Sequence, residues 1–565
     1  MPHSTPSSRS RRLPLVLALG LAALLSACSS APLPPWDSGA APAGSDAGAD
    51  GSRAPGGNAG RAHTTNSARQ QPYRPAVAAR FPDPSTSYET PGLARSRYTT
   101  AGELALWLNN QARRAQGTGT RLGVIEAGRS QRGAPIQALV ATRASSIAAP
   151  ALARSARPTV LLVAGQRGNA PAGVEALLVI ASELAPGGLL ELLLERINVV
   201  LVPSANPDAQ PGASPLTADG TDLTRDHLLL GTPEARALAA LVRDYRPVAV
   251  VDLQEYPALG RWLPKYQASA RHDALLQYGS SANQHEFVTR AARQWYTPAL
   301  QAALARAGLR QDWYATPNAD PQDRALYMGS PAPDALHNAS GLKHAVGYLL
   351  ASRGSDLGRT HIQRRVHTLV TAATQILQTT AERTKDLRQV QTFVEQETAA
   401  LACRRQLDVQ AHQTPEQRSV TLLDAETGTD QRVRVDWHSS LQLQTTTRRA
   451  RPCGYWLAAS AQAAVQRLRL LGLQVFKVAE PGQLVAETWH PGQADAPAYL
   501  VTRGALRAAP GSFYLPMNQP LAHLASAALE PDTAHSYFTR SLLAALGNAA
   551  RVMAPSSVVF EEEGD

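Results

Sequence analysis

The stretch PTVLLVAGQRGNAPAGVEALL, Pro158 to Leu178, decides how the chain is read. Val160 to Ala164 is an unbroken apolar run, and it stops at a polar loop punctuated by Gly and Pro. An apolar periodic segment starts near Gly173, so the spacing predicts strand, loop, helix. In open α/β sheets ligands bind beyond the carboxyl ends of the strands, where loops and helix N-termini converge. This loop offers Gln166, Arg167, Asn169 and Ala170, none of which is a good metal ligand or general base.

Working outward, Thr100-Ala-Gly-Glu103 is a capping-box pattern ahead of Leu104, Trp107, Leu108 and Ala112 on one face, which predicts a helix over 100–112. Gly123 to Ala127 and Ile136 to Ala141 read as short paired strands across a Gln131-Arg-Gly turn. Three further apolar runs end in polar residues. Ile197 to Val202 leads into Asn206-Pro-Asp208, Val248 to Val251 into Asp252-Leu-Gln254-Glu255, and Ala345 to Leu350 into Ala351-Ser-Arg-Gly354. Helical patterns at 233–245 and 287–307 alternate with these strands. The fold class expected is α/β, a mixed and largely parallel sheet flanked by helices.

Five collinear motifs, QRGNAPAG from Gln166, NPD from Asn206, DLTRDH from Asp222, DLQEY from Asp252 and LLASRG from Leu349, resemble the zinc carboxypeptidase (metallocarboxypeptidase) family in its bacterial secreted branch. The resemblance covers about Tyr88 to Leu387 and implies a sheet of about eight strands with the site at the strand ends. It also implies a His at Arg167, a Glu at Ala170 and a second His at Gln254 as the zinc ligands. The catalytic Glu falls on Ala351, the Asn beside the carboxylate-binding Arg225 on Thr224, and an oxyanion-stabilising Arg on Pro215.

Zinc needs three donors with lone pairs and an open position. Arginine has none to give, alanine has no donor and an amide oxygen is a poor ligand. The expectation is a family member without zinc and without hydrolysis, a pseudopeptidase. Arg225, Thr224 and Arg167 are its candidate contacts to a peptide or cell-wall carboxylate. Two other readings stay open: an active zinc metallocarboxypeptidase, and a structural or assembly lipoprotein. No replacement motif is present. His285-Glu286 lacks the second His of a zincin, Gly-x-Ser-x-Gly is absent, and His227, His272, His337 and His344 stand alone. Asp252, Glu255 and Asp222 have a structural reading too, as hydrogen-bond partners at strand ends and turns. Arg167 has a second reading as the charge that neutralises Glu255 or Asp252.

Residues 1–27 read as a lipoprotein signal: Arg9, Arg11 and Arg12, then apolar Leu13 to Leu25, then Leu-Ser-Ala-Cys28. The last four residues resemble a lipobox, which implies acylation of Cys28 and a multi-chain membrane anchor. Ser29 points to the outer membrane, facing the periplasm, while an ordinary secretory signal is the alternative. Residues 28–71 are Ala, Gly, Ser and Pro, a tether that cannot bury enough surface to order. The central domain is expected over 72–397, closed by a long helix to about Glu397. A small α/β module follows over 398–565, with a hairpin (Val420 to Leu423, Val433 to Trp437), a helix 460–471 and a strand 473–478. Cys403 and Cys453 are either one disulfide or two buried thiols. The net charge is +10, but its arginines are scattered, with no basic stripe interleaved with aromatics, so nucleic acid is not an expected partner.

Overall fold

The computed structural model describes residues 73–320, 322–492 and 498–561. Cys28, the signal segment and the tether lie outside the described residues. The described chain gathers into one unit, and no described helix is long and apolar enough to cross a membrane.

Apolar runs set the sheet. Strands β1 (Arg121–Arg129), β2 (Pro135–Thr142), β3 (Thr159–Val163), β4 (Asn198–Val202) and β5 (Ala249–Tyr256) are followed by β6 (Ala268–Ser269), β7 (Ala274–Tyr278), β8 (Gln311–Trp313), β9 (Ala315–Pro317), β10 (Leu326–Met328) and β11 (Val346–Arg353). Eight of them form one sheet in the order β1-β2-β4-β3-β5-β11-β7-β8. Its centre, β4-β3-β5-β11, is parallel, and β1, β2 and β7 pair antiparallel to their inner neighbours. Every residue of β3, β4, β5, β7 and β11 is buried. Such burial explains why the parallel strands read as continuous apolar runs rather than alternations. This is the mixed, largely parallel eight-stranded sheet expected.

Each face of the sheet has its own core. On one, the helices Pro171–Glu183 and Ile362–Glu382 pack with Leu104 and Leu108 over Val160, Leu162 and Val251. On the other, the helix Pro233–Tyr245 packs over Leu161, Val163 and Val250 in a cluster that also takes in Tyr455, Phe513 and Leu515. Residues after 453 thus add to the core of the large sheet while building a six-stranded antiparallel sheet of their own. The capping box forms: Glu103 N donates to Thr100 Oγ1 at 3.4 Å and Thr100 N to Glu103 Oε2 at 3.0 Å. Buried Glu175, in an otherwise apolar helix, accepts hydrogen bonds from Thr90 and from Thr99 N and Oγ1.

Several elements depart from the sequence expectation. The closing helix is two, Ile362–Glu382 and Thr384–Ala400, broken at Arg383. The break directs the second onto the 286–291 helix, where Phe393 meets Phe287 with ring centroids 5.3 Å apart. The 287–307 helix contains a π turn over 292–296, ahead of Pro298, which lacks an N–H. The Ala292 carbonyl accepts hydrogen bonds from Thr297 Oγ1 and Tyr348 Oη, at 3.0 Å each. The hairpin is far longer than the apolar segments beside its turn, β12 (Gln406–Asp424) against β13 (Asp430–Ala450), because its outer half is mostly polar, with buried Leu407 and Val409 its main apolar contacts. Only Phe476–Lys477 of the 473–478 segment is strand, since Gln474 N is taken by the Gln519 side chain at 2.8 Å. Cys403 and Cys453 are joined as a disulfide.

Candidate functional site

The site lies where β3, β5 and β11 end. At Gly165, which closes β3, φ is +64° and an added Cβ would come within 2.8 Å of Pro203 O and Ser204 Cα. Only glycine lets the chain turn there without strain. Gln166 then points inward, buried. Its Nε2 donates to Asp252 Oδ1 at 2.8 Å, and its Oε1 lies 2.7 Å from His227 Nε2. Burial pushes the His227 pKa down to about 3. The ring is therefore neutral, and because an amide oxygen only accepts, Nε2 carries the hydrogen.

Asp252 and Gln254 lie within β5 rather than beyond its end, two apart and so on one face. Gln254 Nε2 donates to the same Asp252 Oδ1, at 2.7 Å. Burial raises the Asp252 pKa to about 6 against the pull of these two amides and of Arg167. Ala351 is the register partner of Gln254 on β11. It is fully buried in a cluster with Tyr256, Trp262 and Leu275. The position where the resemblance implies a base is thus a methyl group in a core. Ala170, also buried, is the residue before the Pro171–Glu183 helix and makes no side-chain cap.

Arg167 turns to the loop carrying Asp222. Its Nη2 donates to Asp222 Oδ2 and, at 3.1 Å, to Thr224 Oγ1, while Nε lies 3.3 Å from Asp222 Oδ1. Burial opposes the charge, but Asp222, Tyr314 and Asp252 together outweigh it and hold the guanidinium pKa above its usual value. Asp222 also caps the short turn Leu223–Arg225 through Thr224 N at 3.1 Å. The partner of Arg167 is therefore Asp222, not Glu255 or Asp252 as the ion-pair reading had it. Glu255 sits on the opposite face of β5, where its Oε1 accepts from Arg365 Nε at 2.6 Å and its Oε2 from Ala172 N at 3.1 Å.

Arg225 is the least committed cation of the site. Its Nη1 is 3.4 Å from Asp334 Oδ1, and its side chain is 40% exposed. Asn206 Nδ2 braces the loop from behind, donating to Gln166 O and Leu216 O at 3.3 and 3.4 Å. One residue that the sequence reading missed belongs here. Tyr314, just past β8, has its phenol pKa raised by burial and feels Arg167, Arg225, Asp252 and Asp222 together. A lone Tyr after a three-residue strand has no sequence signature.

Zinc does not fit the residues at the implied ligand positions. They offer a guanidinium already bound to Asp222, a methyl group, and an amide whose nitrogen is turned to Asp252. Among the described residues no three His, Cys, Asp or Glu side chains gather where they could hold a metal. What the arrangement offers is two guanidiniums, Arg167 paired with Asp222 and Arg225 beside Asp334, next to a buried polar floor of Gln166, Asp252 and Gln254.

Residues 110–211 match the family model of zinc carboxypeptidase, a segment that includes Arg167 and Ala170. The chain is 26% identical over 394 residues to Carboxypeptidase 2 of Trichophyton rubrum, spanning 67% of this chain and 72% of that one. It is 26% identical over 395 residues to Carboxypeptidase 2 of Trichophyton equinum, again over 67% and 72%. Among solved structures, a metallo-carboxypeptidase from Pseudomonas aeruginosa overlays with a TM-score of 0.38 at 16% identity, over 52% of this chain and 70% of that one. The chain is thus similar to zinc carboxypeptidases through residues 110–211 and to the fungal proteins named Carboxypeptidase 2 over about two thirds of its length.

Proposed function

We propose that this protein is a lipid-anchored, zinc-free member of the bacterial secreted branch of the family, one that holds peptide or cell-wall C-terminal carboxylates without cutting them. The observation that carries the reading is Arg167. A guanidinium clamped by Asp222 and Thr224 stands at a position where the resemblance implies a zinc-binding His. In the reading, Arg225, with a single counter-ion 3.4 Å away and donors to spare, takes the carboxylate. Arg167 and the Tyr314 phenol flank it, and Thr224 orients Arg167. Ala351 provides no base to activate water, and Arg167, Ala170 and Gln254 provide no Lewis acid. The Cys28 anchor would hold the binding domain at the outer membrane, on its periplasmic side, through the 28–71 tether.

The test uses one peptide with a free and with an amidated C-terminus. The free form binds, is not shortened on prolonged incubation, and loses about tenfold in affinity with Arg225→Ala, the scale of a charge-assisted contact. About one tightly held zinc per chain after dialysis would overturn the zinc-free reading, because such occupancy requires several good donors. Equal binding of the amidated peptide would overturn the carboxylate reading. A second reading, an active metallocarboxypeptidase, is favoured by the likeness to proteins named Carboxypeptidase 2. Zinc-dependent release of the C-terminal residue would establish it.

A further inference from the structure

At the other end of the sheet, where β5 and β11 begin, a cavity of about 270 Å³ opens between the large sheet and the C-terminal region. Pro247 precedes β5 by two residues and Lys343 precedes β11 by three, so this cavity lies a strand's length from Arg167 and Arg225. Arg243, Arg246 and Lys343 line it, with Glu395 as its one carboxylate. That carboxylate is already committed to Arg246 at 2.7 Å, and Arg243 turns its Nε to Asp244, also at 2.7 Å. Lys343 is partly buried, and among the described residues its Nζ has neither a hydrogen-bond nor an ion-pair partner. Burial and the positive charge of Arg243 push its pKa down to about 7. An ammonium with no partner of its own, set beside other cations at a cavity wall, is placed to receive an anion. The rest of the wall is apolar, from Val242, Leu471, Pro520 and Leu521.

A few convergent cations in an otherwise apolar cleft are the makings of a small-molecule site. From this arrangement we propose that the cavity binds a small oxyanion carrying an apolar group, a phosphate monoester or carboxylate whose charge is received by Lys343 Nζ. Arg243 and Arg246 guard the mouth and draw the anion in, while the aliphatic wall takes the apolar part. The site is separate from the carboxylate site of the proposed function and does not depend on it.

Phenyl phosphate and phenylacetate, each titrated calorimetrically into the intact protein at fixed ionic strength, test the proposal and distinguish its two chemistries. At least one binds saturably, and Lys343→Met weakens it by about tenfold or more. This variant removes an unpaired cation beside Arg243 and is expected to melt no lower than the parent. An independent measurement needs no variant. Pyridoxal 5′-phosphate condenses its aldehyde with the neutral amine, losing water, and borohydride reduces the imine to a stable secondary amine. The chain's lysines are Lys265, Lys343, Lys385 and Lys477. Mapping the label to Lys343, with protection by the probe that binds, supports the site. No saturable binding of either probe at millimolar concentration, equal affinity in Lys343→Met, or labelling confined to the other three lysines would overturn it.

Discussion

Glu255→Gln is the substitution that asks most sharply whether a motif shared with the family is held here for folding. Glu255 and Arg365 have side chains 0% and 3% exposed, and Arg365 Nε donates to Glu255 Oε1 at 2.6 Å. The guanidinium is otherwise held by carbonyls, with Nη1 donating to Gly358 O at 2.5 Å and to Thr360 O at 3.4 Å. Glutamine keeps the volume, but its one oxygen can accept from Arg365 Nε or from Ala172 N and not from both, so it removes the charge and sets an NH2 against one of these donors. That leaves a buried guanidinium without a counter-ion, at about 3–5 kcal/mol. Arg365→Met strands the carboxylate instead and costs a similar amount. The double variant loses both charges and should cost far less than the sum, giving a coupling energy of several kcal/mol. Urea unfolding of the four proteins, with slopes compared to check that the native states are alike, measures this. Strict additivity, or a loss below about 1 kcal/mol for Glu255→Gln, would refute the argument that the pair secures the strand end to the helix.

The sheet was legible because its centre is buried on both faces, which leaves unbroken runs such as Val160 to Ala164 that no surface strand shows. The loops were legible because Gly165 and Pro171 mark where the chain turns and where a helix begins. What is not encoded locally was missed. Sequence order assigned Arg167 a neighbour from β5, whereas its partner, Asp222, comes from a separate loop, and this pairing depends on how two connections fold over the sheet. Tyr314 belongs to the site for the same reason. The outer hairpin of β12 and β13 carries only short apolar alternations, Leu407 and Val409 on one strand and Leu441 and Leu443 on the other, amid Thr, Gln and Arg, so only the segments next to its turn announced themselves.

Removing the Cys403–Cys453 bridge, which closes a separation of 50 residues, should cost about 4 kcal/mol by loop entropy. Unchanged melting in Cys403→Ser/Cys453→Ser, or on adding reductant, would contradict it. Cys28→Ala should abolish labelling by radioactive palmitate and release the protein from washed membranes; a variant that stays membrane-bound would refute the anchor. Arg167→Met should cost only about 1 kcal/mol of stability, since the pair with Asp222 is about a third exposed, yet weaken binding of a free C-terminal carboxylate. A stability loss with unchanged binding would make Arg167 a purely structural cation. The last prediction concerns Asp252, whose folded pKa is raised by burial from the usual 3.8 to about 6. A raised carboxylate pKa means the native state binds the proton more tightly, so ionisation is paid for by the fold as pH climbs from about 4 to about 6. The shift of about two units corresponds to about 3 kcal/mol. Asp252→Asn keeps an Oδ1 that can accept from Gln166 and Gln254 and cannot ionise. Whatever fixed cost its extra N–H groups impose, the stability of Asp252→Asn relative to the parent should rise by about 2.5 kcal/mol between pH 4 and pH 7, read by urea unfolding at each pH. A flat difference, or one that falls with pH, would mean that burial does not raise the carboxylate's pKa and that Arg167 and the two amides keep it ionised down to pH 4.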